Sequence, residues 1–238
     1  LPERLGVRTL EDGYAVQQRA NELLAPKLGA RIGHKIGGTT APMRQYINVP
    51  EPIGGEVFAS TVHPSGATLR LAEYVRPGIE TEIAVRLGKA LPSRPAPYTR
   101  EEAAIAIEAL MASIEVVDDR YEGFQAVGAP TLVADNAFDA GCLLGEPVID
   151  WRRLDLGRLR ARTFVDGKPV DEGTADALYG HPLEALRWLA NRRSKLGLGL
   201  EAGTFISLGS ITAVQWLDRP AEARIEVEGL GEVAVRLA

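Results

Sequence analysis

The sequence predicts an α+β fold in one domain, with many short strands and about four helices. Three observations predict it. Period-two strand patterns recur from residue 31 to residue 237, several of them closed by Gly-containing turns. Capped helical stripes interrupt them without a repeated strand–helix–strand series. No composition shift, repeat or low-complexity tract marks a linker, and 238 residues at 45% hydrophobic content can fill one sizeable core. Residues 1–238 are therefore expected to form a single domain, with residues 1–30 as an N-terminal helical segment.

Taken in order, Thr9 stands as a cap before Leu10-Glu-Asp12, and Tyr14, Val16, Ala20, Leu23 and Leu24 form an approximate helical stripe. Pro26 and Gly29 end it. Residues 31–37 read as a strand with Ile32, His34 and Ile36 on one side and Gly33, Lys35 and Gly37 on the other. Gly38-Thr-Thr-Ala-Pro-Met43 is a turn entering a short helix, with Thr40 as cap and Pro42 in the first turn. Residues 46–71 are rich in Pro and Gly, with brief strand patterns at 56–60 and 67–71. They read either as a loop over a site or as irregular surface.

In residues 78–87, Ile79, Thr81, Ile83, Val85 and Leu87 point one way, and Glu80, Glu82 and Ala84 the other. Thr99-Arg-Glu-Glu102 is a capping box opening a helix over 101–110. A strand over 111–120 follows, then one helical turn at 130–136 and an apolar strand at 140–144. Residues 159–165 and 168–171 flank Asp166-Gly167, a two-residue hairpin signal. Leu183, Leu186, Leu189 and Ala190 stripe a helix that starts at Pro182 and stops at Gly197. Strands at 204–208, 223–228 and 232–237 close the chain, the last two joined by Gly229-Leu-Gly231.

Charge and composition exclude several functions. With 27 basic and 32 acidic residues the formal charge is −5, and no Lys/Arg block favours nucleic acid. No apolar run reaches the roughly 18 residues that span a bilayer, and no signal peptide is evident. The lone Cys142 fits a reducing compartment and core packing, so a cytoplasmic protein is expected. Walker, dinucleotide-binding and nucleophile-elbow patterns are absent, as is any spaced His/Cys set for zinc.

The acids carry the chemistry. Glu80 and Glu82 alone read as ordinary surface acids of a half-buried strand. Glu115, set among Ile114, Val116 and Val117, is expected to be buried, where an unpaired carboxylate costs several kcal/mol and calls for a cation. Three carboxylates on two strands would make an all-oxygen site suited to Mg²⁺ or Mn²⁺. Lys35, flanked by Gly33 and Gly37, is either an edge-strand lysine or the positive group an anionic substrate needs. Thr39 and Thr40 either cap the short helix or bind a carboxylate. Ser210 and Thr212 either sit in a plain turn or place hydroxyls at a strand end.

The segments His34-Lys-Ile-Gly-Gly-Thr-Thr40, Ile79-Glu-Thr-Glu-Ile83, Ile114-Glu-Val-Val-Asp118, Val133-Ala-Asp-Asn136 and Leu208-Gly-Ser-Ile-Thr212, in this order, resemble the 2-keto-4-pentenoate hydratase / 4-oxalocrotonate decarboxylase family of the fumarylacetoacetate hydrolase superfamily. The resemblance runs over nearly the whole chain. It implies a mixed β-roll with peripheral helices, in homo-oligomers. It further implies Mg²⁺ or Mn²⁺ on Glu80, Glu82 and Glu115, a small 2-oxo acid chelated through carboxylate and keto oxygen, Lys35 as acid/base or charge partner, and Thr39, Thr40, Ser210 and Thr212 as substrate contacts. The implied activity is hydration of a 2-hydroxydienoate through a metal-stabilised dienolate. The alternatives are decarboxylation of 4-oxalocrotonate, superfamily C–C hydrolysis, or a silent subunit supporting a partner enzyme. The chain departs from relatives at Ala137-Phe-Asp-Ala140, where Phe138 and Asp139 are expected to reshape the pocket.

Overall fold

The computed structural model describes residues 6–123 and 126–238, so residues 1–5 of the expected N-terminal segment lie outside the described residues. Its elements are α1 (Leu10–Leu28), β1 (Arg31–Gly37), α2 (Ala41–Tyr46), β2 (Ile53–Phe58), β3 (Val62–Pro64), β4 (Ala67–Leu69), β5 (Pro77–Leu87), α3 (Arg100–Ile105) and β6 (Ile107–Asp118). Then come α4 (Ala129–Ala134), β7 (Asp139–Leu144), β8 (Arg160–Val165), β9 (Lys168–Thr174), α5 (Pro182–Lys195), β10 (Phe205–Ser210), β11 (Gln215–Trp216), β12 (Ala221–Val227) and β13 (Gly231–Leu237).

The strands form two sheets. The first has eight strands, ordered β2-β1-β10-β5-β6-β7-β3 with β11 added to β5; the second has five, ordered β4-β13-β12-β8-β9. Both are mixed: β1 runs parallel to β10, β3 to β7 and β4 to β13, and the other pairings are antiparallel. The Ile79, Ile83, Val85 and Leu87 face of β5 packs with Ile225, Val233 and Val235 of the second sheet in one continuous core. Thr81 sits on that same apolar face, its hydroxyl 2.6 Å from Thr163 on β8. Buried between sheets, the hydroxyl has a partner and costs little. This strand-rich, curled α+β architecture with helices at its margins is the expected mixed β-roll.

Local expectations hold where capping and turn chemistry decide. Thr9 and Thr99 each close a complete capping box at the starts of α1 and α3. Asp166 and Gly167, both at positive φ, make the β8–β9 hairpin turn.

Three expectations are corrected. The helix over 101–110 stops at Ile105, because Ile107 and Ala109 are drawn into β6 by pairing with Leu87 and Arg86 of β5. In α1 the expected stripe is misplaced: Leu23 and Leu24 are 64% and 42% exposed, whereas Gly13, Gln17 and Asn21 are buried. Gln17 Nε2 donates to the carbonyls of Gly54 and Val133 at 3.0 and 2.7 Å, so the helix docks through polar groups. Gly13 allows the close approach, since a Cβ there would meet the Pro130 carbonyl oxygen at 2.5 Å. Finally, residues 46–71 are neither a single loop nor irregular surface. They supply β2, β3 and β4, and the expected strand at 56–60 lies instead at Ile53–Phe58. Among the described residues no helix is long and apolar enough to cross a membrane.

Candidate metal centre and its cavity

Strand pairing assembles the site. In the β5–β6 ladder Glu80 lies directly opposite Glu115, and Glu82 opposite Ser113. Because side chains alternate with period two, Glu80, Glu82 and Glu115 share one face of the sheet. Carboxylate oxygens of the three lie within 4.8 Å of one another. Like charges directly opposite each other destabilise a sheet, so this arrangement needs compensation.

Neighbouring strands provide part of it. On β10, Ser207 hydrogen-bonds Glu82 Oε2, and the Gly209 N–H donates to the same oxygen at 3.1 Å. Lys35 of β1 pairs with Ser207 in the parallel β1–β10 ladder, which carries it to the same face. Its Nζ lies 2.5 Å from Glu115 Oε1 and donates to the Ala137 carbonyl at 2.7 Å. Two of its three N–H donors are thereby used. The residue expected to be an edge-strand lysine or a site lysine is thus 3% exposed and in the acid cluster.

Compensation remains incomplete. Glu82 Oε1 and Glu115 Oε2 are buried with no hydrogen-bond donor among the described residues. Burial, then the Glu115 charge, pushes Glu80 up to about 7, with Lys35 pulling the other way. Burial and the adjacent carboxylates also raise Glu82 well above the usual carboxylate range. Glu115 is raised by burial in spite of Lys35. Burial alone would lower Lys35, but Glu115, Glu80 and Asp139 outweigh it, so the ammonium is held. Orphaned carboxylate oxygens from rigid strands, with no nitrogen or sulfur donor among them, fit a hard divalent cation.

Above the acids opens a cavity of about 570 Å³. Lys35 and Glu80 line it, as do Thr39, Thr40, Ser210 and Thr212, so every residue expected at the site lines the cavity or belongs to the acid cluster beneath it. Hydroxyl roles differ, however. Thr40 accepts from the Met43 N–H and caps α2. Ser210 Oγ donates to the Thr212 carbonyl, and Thr212 Oγ1 lies 3.0 Å from Thr163 Oγ1.

The segment after α4 was not anticipated as a support for the site. Asn136, Ala137 and Phe138 lie consecutively at φ 59°, 52° and 66° without a glycine, a left-handed run that side chains disfavour. The Asn136 side chain holds it. Oδ1 accepts from the Glu56 N–H at 2.9 Å and Nδ2 donates to the Glu56 carbonyl at 2.7 Å. Gly55 leaves room for this clamp, since a Cβ there would meet Asn136 Oδ1 at 2.9 Å. The run delivers the Ala137 carbonyl to Lys35 and sets Phe138 in the cavity wall. It also brings Asp139, a half-buried fourth acid whose Oδ1 is buried, pushed up to about 7 by burial and then by Glu115. Asn136 and Ser207 carried no spacing signal of their own; Asn136 followed by three non-glycines gave no hint of positive φ.

Comparison with known proteins agrees with this geometry. The "Fumarylacetoacetate (FAA) hydrolase C-terminal" family matches residues 32–238. The chain is 33% identical over 220 residues to a 2-keto-4-pentenoate hydratase of Paraburkholderia phymatum, covering 92% of this chain and 83% of that one. It is 34% identical over 234 residues to a 4-oxalocrotonate decarboxylase of a Pseudomonas species, covering 95% and 88%. Among solved structures, the 4-oxalocrotonate decarboxylase of Pseudomonas putida G7 complexed with magnesium and adipate superposes with a TM-score of 0.90 at 28% identity, over 97% of this chain and 86% of the other.

Proposed function

The chain belongs to the fumarylacetoacetate hydrolase C-terminal family, and from that premise we propose that it is a divalent-cation-dependent lyase adding water to a 2-hydroxydienoate, as a 2-keto-4-pentenoate hydratase does. One observation carries the proposal: three carboxylates, two of them with orphaned buried oxygens, cluster at a cavity into which the chain also brings a protonated lysine.

Glu80, Glu82 and Glu115 would hold Mg²⁺ or Mn²⁺, in keeping with the magnesium in the decarboxylase neighbour. When bound, the cation supplies an electron sink at the substrate's 2-oxygen and lowers the barrier to moving charge along the diene. Glu115 keeps Lys35 protonated and fixed. The third N–H of Lys35 is left to pair with the substrate carboxylate and to serve as a proton source at Nζ. Three carboxylates, one ammonium and a divalent cation sum to zero charge, so a monoanionic acid adds only its own charge to the site.

Decarboxylation of 4-oxalocrotonate is the second reading, favoured by the similarity to the two decarboxylases. Purified protein with Mg²⁺ and 2-hydroxypenta-2,4-dienoate is expected to lose diene absorbance without releasing CO₂. Release of CO₂ from 4-oxalocrotonate, with no hydration of the dienoate, would overturn the first reading. Two further expectations go with it, a homo-oligomer and a cytoplasmic location, and sedimentation of the purified protein tests the former.

A further inference from the structure

Resting on the function just proposed, we infer that the substrate's far end is an uncharged hydrocarbon tail of several carbons, and that Phe138 is a specificity-determining residue for it.

The inference rests first on charge. Lys35 is the one Lys or Arg among the described residues lining the cavity, and it lies at the acid cluster. Arginines nearby are already engaged. Arg44 donates to the Gly38 and Thr39 carbonyls at 3.2 and 2.7 Å and lies over the Tyr179 ring. Arg76 lies over the Trp216 ring and 3.3 Å from Asp119. Arg120 pairs with Asp135 at 2.8 Å. Arg8 lines an adjoining cleft that shares Tyr46 and Ile47, not the cavity itself. A second carboxylate at the substrate's far end would therefore leave water without a cationic partner.

Shape and surface point the same way. Besides Lys35, Glu80 and the hydroxyl residues already described, the walls include Met43, Tyr46, Leu132, Phe138, Val214 and Trp216. Met43 and Tyr46 are 38% and 50% exposed, apolar surface that a hydrocarbon tail would cover. Phe138 is held by the left-handed run after α4, and its ring meets Tyr121 edge-on at 5.9 Å. A wall residue fixed in this way is a ruler for tail length.

Calorimetric titration of the Mn²⁺-loaded protein with pyruvate, 2-oxobutanoate, 2-oxohexanoate, 2-oxooctanoate and 2-oxooctanedioate tests the inference. Affinity is expected to rise about threefold per added methylene. 2-Oxooctanedioate should bind about tenfold or more weakly than 2-oxooctanoate. Phe138→Ala should flatten the alkyl series, and Met43→Arg should tighten the dicarboxylate about tenfold, which keeps the test independent of one variant's folding. Pyruvate binding with no gain along the series, or a dicarboxylate matching its monocarboxylate, overturns the tail while leaving the 2-oxo acid site intact. Failure of every acid to bind overturns both.

Discussion

Lys35 Nζ and Glu115 Oε1 stand 2.5 Å apart with both side chains buried, yet the second Glu115 oxygen has no donor among the described residues. One ammonium cannot satisfy three carboxylates. The pair therefore divides the work: Lys35 fixes one oxygen of Glu115 and leaves the other for a cation.

This division predicts unequal effects of mutation. Glu115→Gln removes an anionic donor and should weaken Mn²⁺ binding about a hundredfold or more, beyond what loss of a supporting contact costs. Lys35→Ala removes a competing positive charge and should leave affinity within about tenfold of wild type while abolishing turnover. Calorimetry checks both, and unchanged Mn²⁺ affinity in Glu115→Gln would sink the site.

Cation binding should depend on pH in a definite direction. Glu80 is raised to about 7 by burial and by Glu115, so without a cation it retains a proton below that pH. A bound cation must displace it. Affinity should therefore climb between pH 6 and 8, by up to about tenfold per unit below 7. The sign for stability is the reverse. A raised carboxylate stabilises the cation-free fold most at low pH, and that contribution is lost as pH rises from 4.5 towards 7. Titrations in buffers of different ionisation heat should register proton release at pH 6 that fades by pH 8.

His34 titrates the other way. Burial, then the charge of Arg193, lowers it to about 3. The unfolded chain takes up this proton below about 6.5 and the folded one does not, so stability contributed by the neutral ring falls as pH drops through that window. The slope is about 1.4 kcal/mol per unit. Denaturant midpoints for wild type and His34→Gln should diverge between pH 7 and pH 5 only if this ring is the source.

Asn136 supports the site without belonging to the acid cluster. Asn136→Ala breaks both bonds to Glu56 and loses a residue tolerant of left-handed backbone, costing about 2 kcal/mol. The Ala137 carbonyl then no longer holds Lys35 in place. The expected result is a fall in kcat with Mn²⁺ affinity nearly preserved. Equal loss of both would mean that the clamp serves stability alone.

Period-two alternation made the common face of Glu80 and Glu82 readable, and the apolar company of Glu115 announced its burial. The cap at Thr9, the capping box at Thr99 and the Asp166-Gly167 turn were equally legible, because local chemistry decides them. Pairing was not. Ile107 and Ala109 carry enough helical pattern to mislead until β5 claims them. Gln17 and Asn21 look like solvent-facing residues until backbone acceptors and Glu56 are found for them across the fold. Three consecutive left-handed residues without glycine are likewise a product of tertiary contacts, which no local preference announces.

The direct opposition of Glu80 and Glu115 in one ladder also sets where this gene can vary in length. An insertion between the two strands, around α3, changes only the connecting loop. A single residue added inside either strand flips every later side chain to the opposite face. In β5 such an insertion before Glu80 would turn both acids into the apolar interior beside Thr163 and deliver Ile79 or Thr81 to the cavity floor. Length variants that retain cation binding should therefore be found in the loops and never within 80–82 or immediately around 115.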